Sequence, residues 1–211
     1  MNNSDMSSLA STLTGAGHTI MPDGAITDGN LGLLNLYWIG EPLSTPTAGE
    51  LTSLTNWVTG GGILLLLFDS GCGGCVGGNG ILTGLGTSMV AGGSATDAAL
   101  AGGNPATTGG PYNLVGQSLN TSPGTAITGG TALAGSILAY QALGTGHVFA
   151  FGDRSDHNVF GNTSATVNGQ LFLNIAAMGP SQSVPIGEVP EPATPLLLGV
   201  GLVVLAVLRS R

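Results

Sequence analysis

Two short segments concentrate the residue types that do chemistry. The first is Asp69-Ser70-Gly71-Cys72-Gly73-Gly74-Cys75, and the second is Asp153-Arg154-Ser155-Asp156-His157. Cys72 and Cys75, the two cysteines of the chain, form one C-x-x-C. That spacing suits a tight disulfide, a redox pair or half of a zinc site. A structural zinc site takes four ligands, and no second cysteine pair exists to complete it. Asp69, Asp153, Asp156 and His157 offer the oxygen and nitrogen donors of a hard-metal or ligand site. The bland reading is a pair of capped turns, because Asp is a good turn and cap residue. Arg154 is the one cation ahead of the C-terminal tail and is expected to pair with a neighbouring Asp. The sequence calls for no cofactor.

Both segments follow expected strands. Ile63 to Phe68 reads as the most buried strand of the chain, and His147 to Phe151 as a later one. In open α/β sheets ligands bind beyond the carboxyl ends of the strands, which is where both segments fall. Asp5 caps an expected helix with Met6, Leu9, Ala10 and Leu13 on one face, ended by Gly15 and Gly17. His18 to Met21 reads as a short strand. Leu33 to Ile39 reads as a strand buried on both faces. Thr45-Pro46 starts a helix carrying Leu51, Leu54, Trp57 and Val58, stopped by Gly60-Gly61-Gly62. From Ser70 to Ala134 the chain is rich in Gly and Thr, and only Met89-Val90-Ala91 reads as a strand. Ser136 to Ala142 and His147 to Phe151 are strands joined by Leu143-Gly144-Thr145-Gly146. Leu171, Phe172, Ile175 and Ala176 mark a last helix before Gly179-Pro180. His18, His147, Trp38 and Trp57 read as structural. Strands alternating with amphipathic helices predict an α/β fold with a largely parallel sheet.

Composition narrows the function. Charged residues are 7% of the chain, against about 25% in an ordinary soluble domain. Three Lys and Arg stand against 11 Asp and Glu, a net charge of −8. A surface this acidic repels phosphate backbones, which argues against nucleic acid as a partner.

The tail is different in character. Residues 179–188 form a linker of Gly, Pro, Ser and Gln. Val189-Pro190-Glu191-Pro192 follows, then an apolar run from Leu196 to Leu208, then Arg209-Ser210-Arg211. Counted from Ala193, the run is marginal against the ~20 residues of a spanning helix, and snorkelling arginines make it workable. Arg209 and Arg211 should stay on the cytoplasmic side, leaving the body outside.

Pro190, Glu191 and Pro192 ahead of an apolar helix and a terminal Arg cluster resemble the PEP-CTERM sorting signal. The resemblance covers the tail, 189–211. It implies an exosortase as partner, recognition at the membrane with cleavage near the motif, and a final place in the cell envelope or outside. It also implies the setting of exopolysaccharide and biofilm, with exopolysaccharide as a candidate partner. Such proteins carry an N-terminal signal peptide, and none is read in Met1-Asn2-Asn3-Ser4-Asp5.

The body, residues 1–178, resembles the class I glutamine amidotransferase-like superfamily. The resemblance rests on Leu33–Ile39, the helix ending Trp57-Val58-Thr59-Gly60-Gly61-Gly62, Ile63–Phe68, Gly144 to Asp153, and Asn168 to Asn174. It implies a three-layer, flavodoxin-like α/β fold. It also implies a core strand before the first helix, which this chain lacks, so the true start is expected upstream of Met1. Catalytic relatives place a Cys on a sharp turn after a strand and a His after a later one. Cys72 and His157 match by order. Gly71-Cys72-Gly73 lies further past its strand than the family elbow, and Asn158 and Val159 stand where Pro-Glu would follow the His. The sequence therefore points to a binding or structural body, with an extracytoplasmic cysteine hydrolase or amidase using Cys72 and His157 as the other reading. A Cys72–Cys75 disulfide would exclude that reading in its simple form.

Overall fold

The structure is a computed structural model that describes residues 7–21, 24–121, 123–153 and 165–178. These residues all belong to one compact unit, Met1–Pro180. Among them no helix is long and apolar enough to cross a membrane. The expected span at Leu196–Leu208 lies outside the described residues.

Helix α1, Ser7–Gly15, buries Leu9 and Leu13, and Gly17 ends it with φ 91°. His18 to Met21 is not a strand. Only half of it is screened from water, so it lacks the apolar face a core strand needs. A short α2, Asp28–Leu31, follows; it is capped by the Thr27 hydroxyl and was hidden in a polar stretch. β1, Leu36–Gly40, starts later than expected and leaves Leu36, Tyr37 and Trp38 partly exposed. Among the described residues it is an edge strand, with one neighbour rather than two.

Helix α3, Ala48–Thr59, is capped by Thr47 rather than Thr45. The Thr47 hydroxyl accepts from the Glu50 N–H, while Glu50 Oε2 accepts from the Thr47 N–H at 2.8 Å. Those bonds hold the exposed Glu50 carboxyl below its ordinary pKa. This reciprocal box satisfies two donors that the helix itself leaves free, which outweighs Pro46 as a start signal. Trp57 closes the helix by donating its indole N–H to Leu34 O at 3.2 Å.

β2, Ile63–Leu67, is buried at every position. Each such side chain is worth about 2 kcal/mol of transfer free energy. Next comes a 3-10 turn at Ser70–Cys72, then helix α4, Cys75–Gly84. The chain continues through β3, Val90–Ala91; α5, Pro105–Thr108; β4, Ile127–Thr128; and β5, Thr131–Ala134. β6, Leu138–Leu143, β7, Gly146–Phe151, and α6, Val167–Ala177, complete the described elements.

The main sheet runs β1-β2-β7-β6-β5. β1, β2 and β7 are parallel, with Trp38 opposite Leu65 and Leu65 opposite Phe149. β6 and β5 are antiparallel to their neighbours. The expected largely parallel sheet is therefore mixed. The cause is the two-residue link Gly144-Thr145, which is too short for a crossover and folds back as a hairpin. Gly144 adopts φ 62°, and Thr145 N–H bonds to Thr59 O at 3.0 Å.

Alternation along β2 sorts the core into two faces. Ile63, Leu65 and Leu67 pack with Leu9, Leu13, Phe149, Phe151, Leu171 and Phe172. Leu64, Leu66 and Phe68 pack with Leu54, Val58, Ile81, Leu82 and Val148. Helices α1 and α6 cover one face, and α3 and α4 cover the other, which gives three layers.

Helix α4 was missed because Gly77, Gly78, Gly80 and Gly84 read as loop. Packing decides otherwise. A Cβ at Gly77 would stand 2.6 Å from Ser44 O, and one at Gly78 would stand 2.6 Å from Phe68 Cζ. The helix lies backbone-to-neighbour against the 42–45 segment and Phe68, so contact compensates for poor propensity.

The long Gly- and Thr-rich segment is stitched to α6 by two buried asparagines. Asn174 Nδ2 donates to Ala106 O at 2.9 Å and to Tyr112 O at 2.8 Å, and its Oδ1 accepts from Tyr112 N–H at 3.1 Å. Asn168 donates to Asn120 O at 2.7 Å and accepts from Asn120 N–H at 3.0 Å. Each amide pairs a backbone as a neighbouring strand would, satisfying groups that a buried loop cannot leave unpaired.

Candidate functional site

The carboxyl ends of the three parallel strands meet at one edge. Glu41 follows β1, Asp69 follows β2 and Asp153 follows β7. Asp69 and Asp153 each stand two residues past the register pair Leu67–Phe151. The ladder runs on a step beyond the strands, with Glu41 N–H to Leu67 O and Phe68 N–H to Phe151 O both at 2.8 Å. The sheet thus holds this edge firmly up to the turns.

Asp69 builds the turn after β2. Its side chain accepts from Ser70 N–H at 2.6 Å, and its backbone exchanges two bonds with Gly73 at 3.1 and 3.2 Å. Gly71 and Cys72 both adopt φ 67°, the left-handed region. For Cys72 that is a sparsely populated conformation, held by its surroundings. Glu41, φ 43°, lies over the turn, and its Oε1 would stand 2.8 Å from a Cβ at Gly73.

Thr125 ties the turn to β7. Its buried hydroxyl donates to Asp69 O at 2.6 Å and accepts from Cys72 N–H at 3.2 Å. Its own N–H donates to Gly152 O at 2.6 Å. Thr125 and Glu41 escaped the sequence reading. Glu41 had a findable signal, directly after an expected strand; Thr125 had none, being one Thr among many in an unassigned stretch.

Cys72 and Cys75 are joined as a disulfide, with Cα atoms 5.2 Å apart. Cys75 is 7% exposed and is the first residue of α4, while Cys72 is partly exposed. Joined in this way, Cys72 carries no thiol for nucleophilic attack. No free cysteine stands among the described residues. His157, Asp156 and Arg154 lie outside the described residues, as do Pro190, Glu191, Pro192, Arg209 and Arg211. The structure brings Asp69, Asp153 and the cysteines to one edge. Asp153 is 1% exposed, so it faces the interior and not solvent. Among the described residues no group of three or more His, Cys, Asp or Glu is placed to hold a metal ion. No Lys or Arg stands among those residues either; Arg154, next in the chain to Asp153, lies outside them.

The one histidine in the sheet has a structural setting. His147 Nδ1 and the Tyr140 hydroxyl share a hydrogen bond of 2.9 Å across β6 and β7. Burial lowers the His147 pKa and raises that of Tyr140.

The fold recurs in solved structures. One is "mmIFT52 N-terminal domain", at 15% identity and TM-score 0.60, covering 81% of this chain and 88% of that chain. Another is "Cytoplasmic Protein STM3548 from Salmonella typhimurium", at 13% identity and TM-score 0.52, covering 83% and 87%. At these identities the likeness is one of fold alone, and neither is named as a glutamine amidotransferase. No curated protein matches the chain in sequence. Residues 188–211 match the family described as the PEP-CTERM protein-sorting motif. The chain therefore carries the signal of an exported protein that an exosortase sorts.

Proposed function

We propose that this is a surface protein whose body binds or scaffolds rather than catalyses, delivered to the envelope through its C-terminal signal. The sorting motif at 188–211 carries the reading. The joined cysteines support a non-catalytic body, since a Cys–His hydrolase requires a thiolate at Cys72. In this reading residues 1–178 form the body and residues 179–188 the linker. Residues 189–211 hold the chain in the inner membrane until exosortase cuts near Pro190, Glu191 and Pro192. The body is then a degenerate member of the amidotransferase-like superfamily. The candidate ligand is neutral, in keeping with a chain of net charge −8 that repels anions and with its many Ser, Thr and Asn. Exopolysaccharide is the partner of that chemistry in the expected setting.

The test is the intact mass of the protein from its native host, with and without the exosortase gene. Loss of the apolar tail only when the enzyme is present is the expected result. A tail retained in both strains would overturn the sorting step. Amide hydrolysis by purified protein, abolished by Cys72→Ser, would overturn the non-catalytic body.

A further inference from the structure

We infer that the Cys72–Cys75 disulfide is a thiol–disulfide exchange site in which Cys72 takes the incoming sulfur and Cys75 is the leaving group. Three observations carry this. The first is asymmetry of access: Cys72 is partly exposed, whereas Cys75 is 7% exposed. Attack requires an approach to one sulfur, and Cys72 is the more exposed residue of the two.

The second is the seat of Cys75. It is the first residue of α4, a helix of ten residues, and its cap, Gly74, supplies no side-chain acceptor. The positive end of the α4 dipole lies at Cys75, and the Glu41 carboxyl, which lies over the preceding turn, is the charged group set against it. A leaving thiolate gains from that helix end, which places Cys75 as the leaving group.

The third is what the bond holds in place. Cys72 sits at φ 67°, a region that L side chains rarely adopt, with its N–H bonded to Thr125 Oγ1 at 3.2 Å. Opening the ring releases Cys72 from that conformation. Through Thr125, which is bonded to Asp69 O and Gly152 O, the change reaches the ends of β2 and β7.

The step balances as an exchange. A thiolate attacks Cys72 Sγ, the Cys72–Cys75 bond breaks, and its electron pair leaves on Cys75 Sγ. A mixed disulfide now joins Cys72 to the incoming sulfur. A second thiol of the same dithiol then attacks that incoming sulfur and releases Cys72. The dithiol is oxidised to its disulfide, and the protein is reduced by two electrons. The co-reactant is a thiol: a protein dithiol as written, or two molecules of a low-molecular-weight monothiol, the second attacking the mixed disulfide in place of the second thiol of the dithiol.

The experiment uses the full chain, folded and without denaturant. It is exposed in parallel to glutathione and to a thioredoxin-type dithiol protein, quenched by alkylation, and mapped by peptide mass. Expected is reduction in the folded state, with the glutathione adduct on Cys72 at least ~10-fold over Cys75. Amide exchange of residues 70–73 should then quicken while Leu64–Leu67 stay protected. Reduction by the protein dithiol alone, or by both reagents, supports the site and identifies the source of the thiol. Reduction seen only above the unfolding midpoint, or an adduct shared equally or lodged on Cys75, overturns it. A Cys75→Ala chain that is folded by circular dichroism and takes glutathione on Cys72 from oxidised glutathione, with release of one reduced glutathione, gives a second, independent readout.

Discussion

Replacing Asn174 by Leu removes an amide that satisfies three backbone groups and puts a side chain of similar length in its place. Asn174 is fully buried, and it bonds Ala106 O, Tyr112 O and Tyr112 N–H at 2.9, 2.8 and 3.1 Å. Ala106 is fully buried, so its carbonyl loses its partner with no access to water and costs about 2 kcal/mol. The two Tyr112 groups are half-buried, and water recovers part of their loss, leaving about 1 kcal/mol each. Extra apolar burial by Leu returns about 1 kcal/mol, so the net cost is about 3 kcal/mol. That is a large share of the ~5–15 kcal/mol that holds a domain together, and it lowers the melting temperature by about 6–12 °C. Equilibrium urea unfolding followed by tryptophan fluorescence measures it, with an unchanged slope showing that only stability moved. Asn174→Asp sharpens the test. Its oxygens face two carbonyls, and burial raises the carboxyl pKa in the folded state, so the variant loses stability as pH rises and regains it as pH falls. A cost below ~1 kcal/mol for Leu, or an Asp variant indifferent to pH between 4 and 8, would refute the stitching role.

Thr125→Val keeps shape but removes the hydroxyl between Asp69 O and Cys72 N–H. It should cost about 2 kcal/mol in urea unfolding and speed amide exchange at Cys72 in particular. Gly77→Ala raises helix propensity by about 1 kcal/mol, yet it drives a methyl into Pro42 O and Ser44 O; a net destabilisation of about 2 kcal/mol is expected, and a stabilised variant would show that α4 can shift. His147 has a folded pKa below its unfolded value, so its neutral form is favoured by folding. Its contribution is complete above the unfolded pKa and fades as pH falls below it, so the melting temperature of wild type should drop from pH 7 to pH 5 more than that of His147→Gln.

The parts of this fold legible in the sequence are those where one physical signal dominates. β2 announces itself because five consecutive apolar residues admit few other readings, and Leu54 and Val58 because helical spacing places them on one face. The failures have separate causes. His18–Met21 reads as a strand locally, but only half of it is screened from water, and among the described residues no strand pairs with it. Leu33–Ile39 looks doubly buried, but it becomes an edge strand, because sheet order is a non-local property that no window shows. α4 is invisible because its glycines are chosen for what they touch, and Asn168 and Asn174 because an amide bonded to a distant backbone looks like any surface amide. At the candidate edge, Asp69 and the cysteines were legible from their place after a strand. Thr125 was not, because a separation of 56 residues joins it to Asp69.

The glycine seam of α4 has a consequence for how this body yields to heat. Docking a helix through glycines immobilises almost no rotamers, so side-chain entropy contributes little to the cost of closing the seam. The backbone bears that cost instead, because glycine surrenders more main-chain freedom than any other residue. Contacts made by the glycine backbone also fade within fractions of an ångström, because the helix side of the seam has no side chain to follow a retreating neighbour. The seam should therefore part as a unit, before the leucine-filled layers beside it soften. The disulfide lies at the head of α4, outside that seam, and ties the first residue of the helix to the turn after β2, so the helix is held at that end while the seam parts.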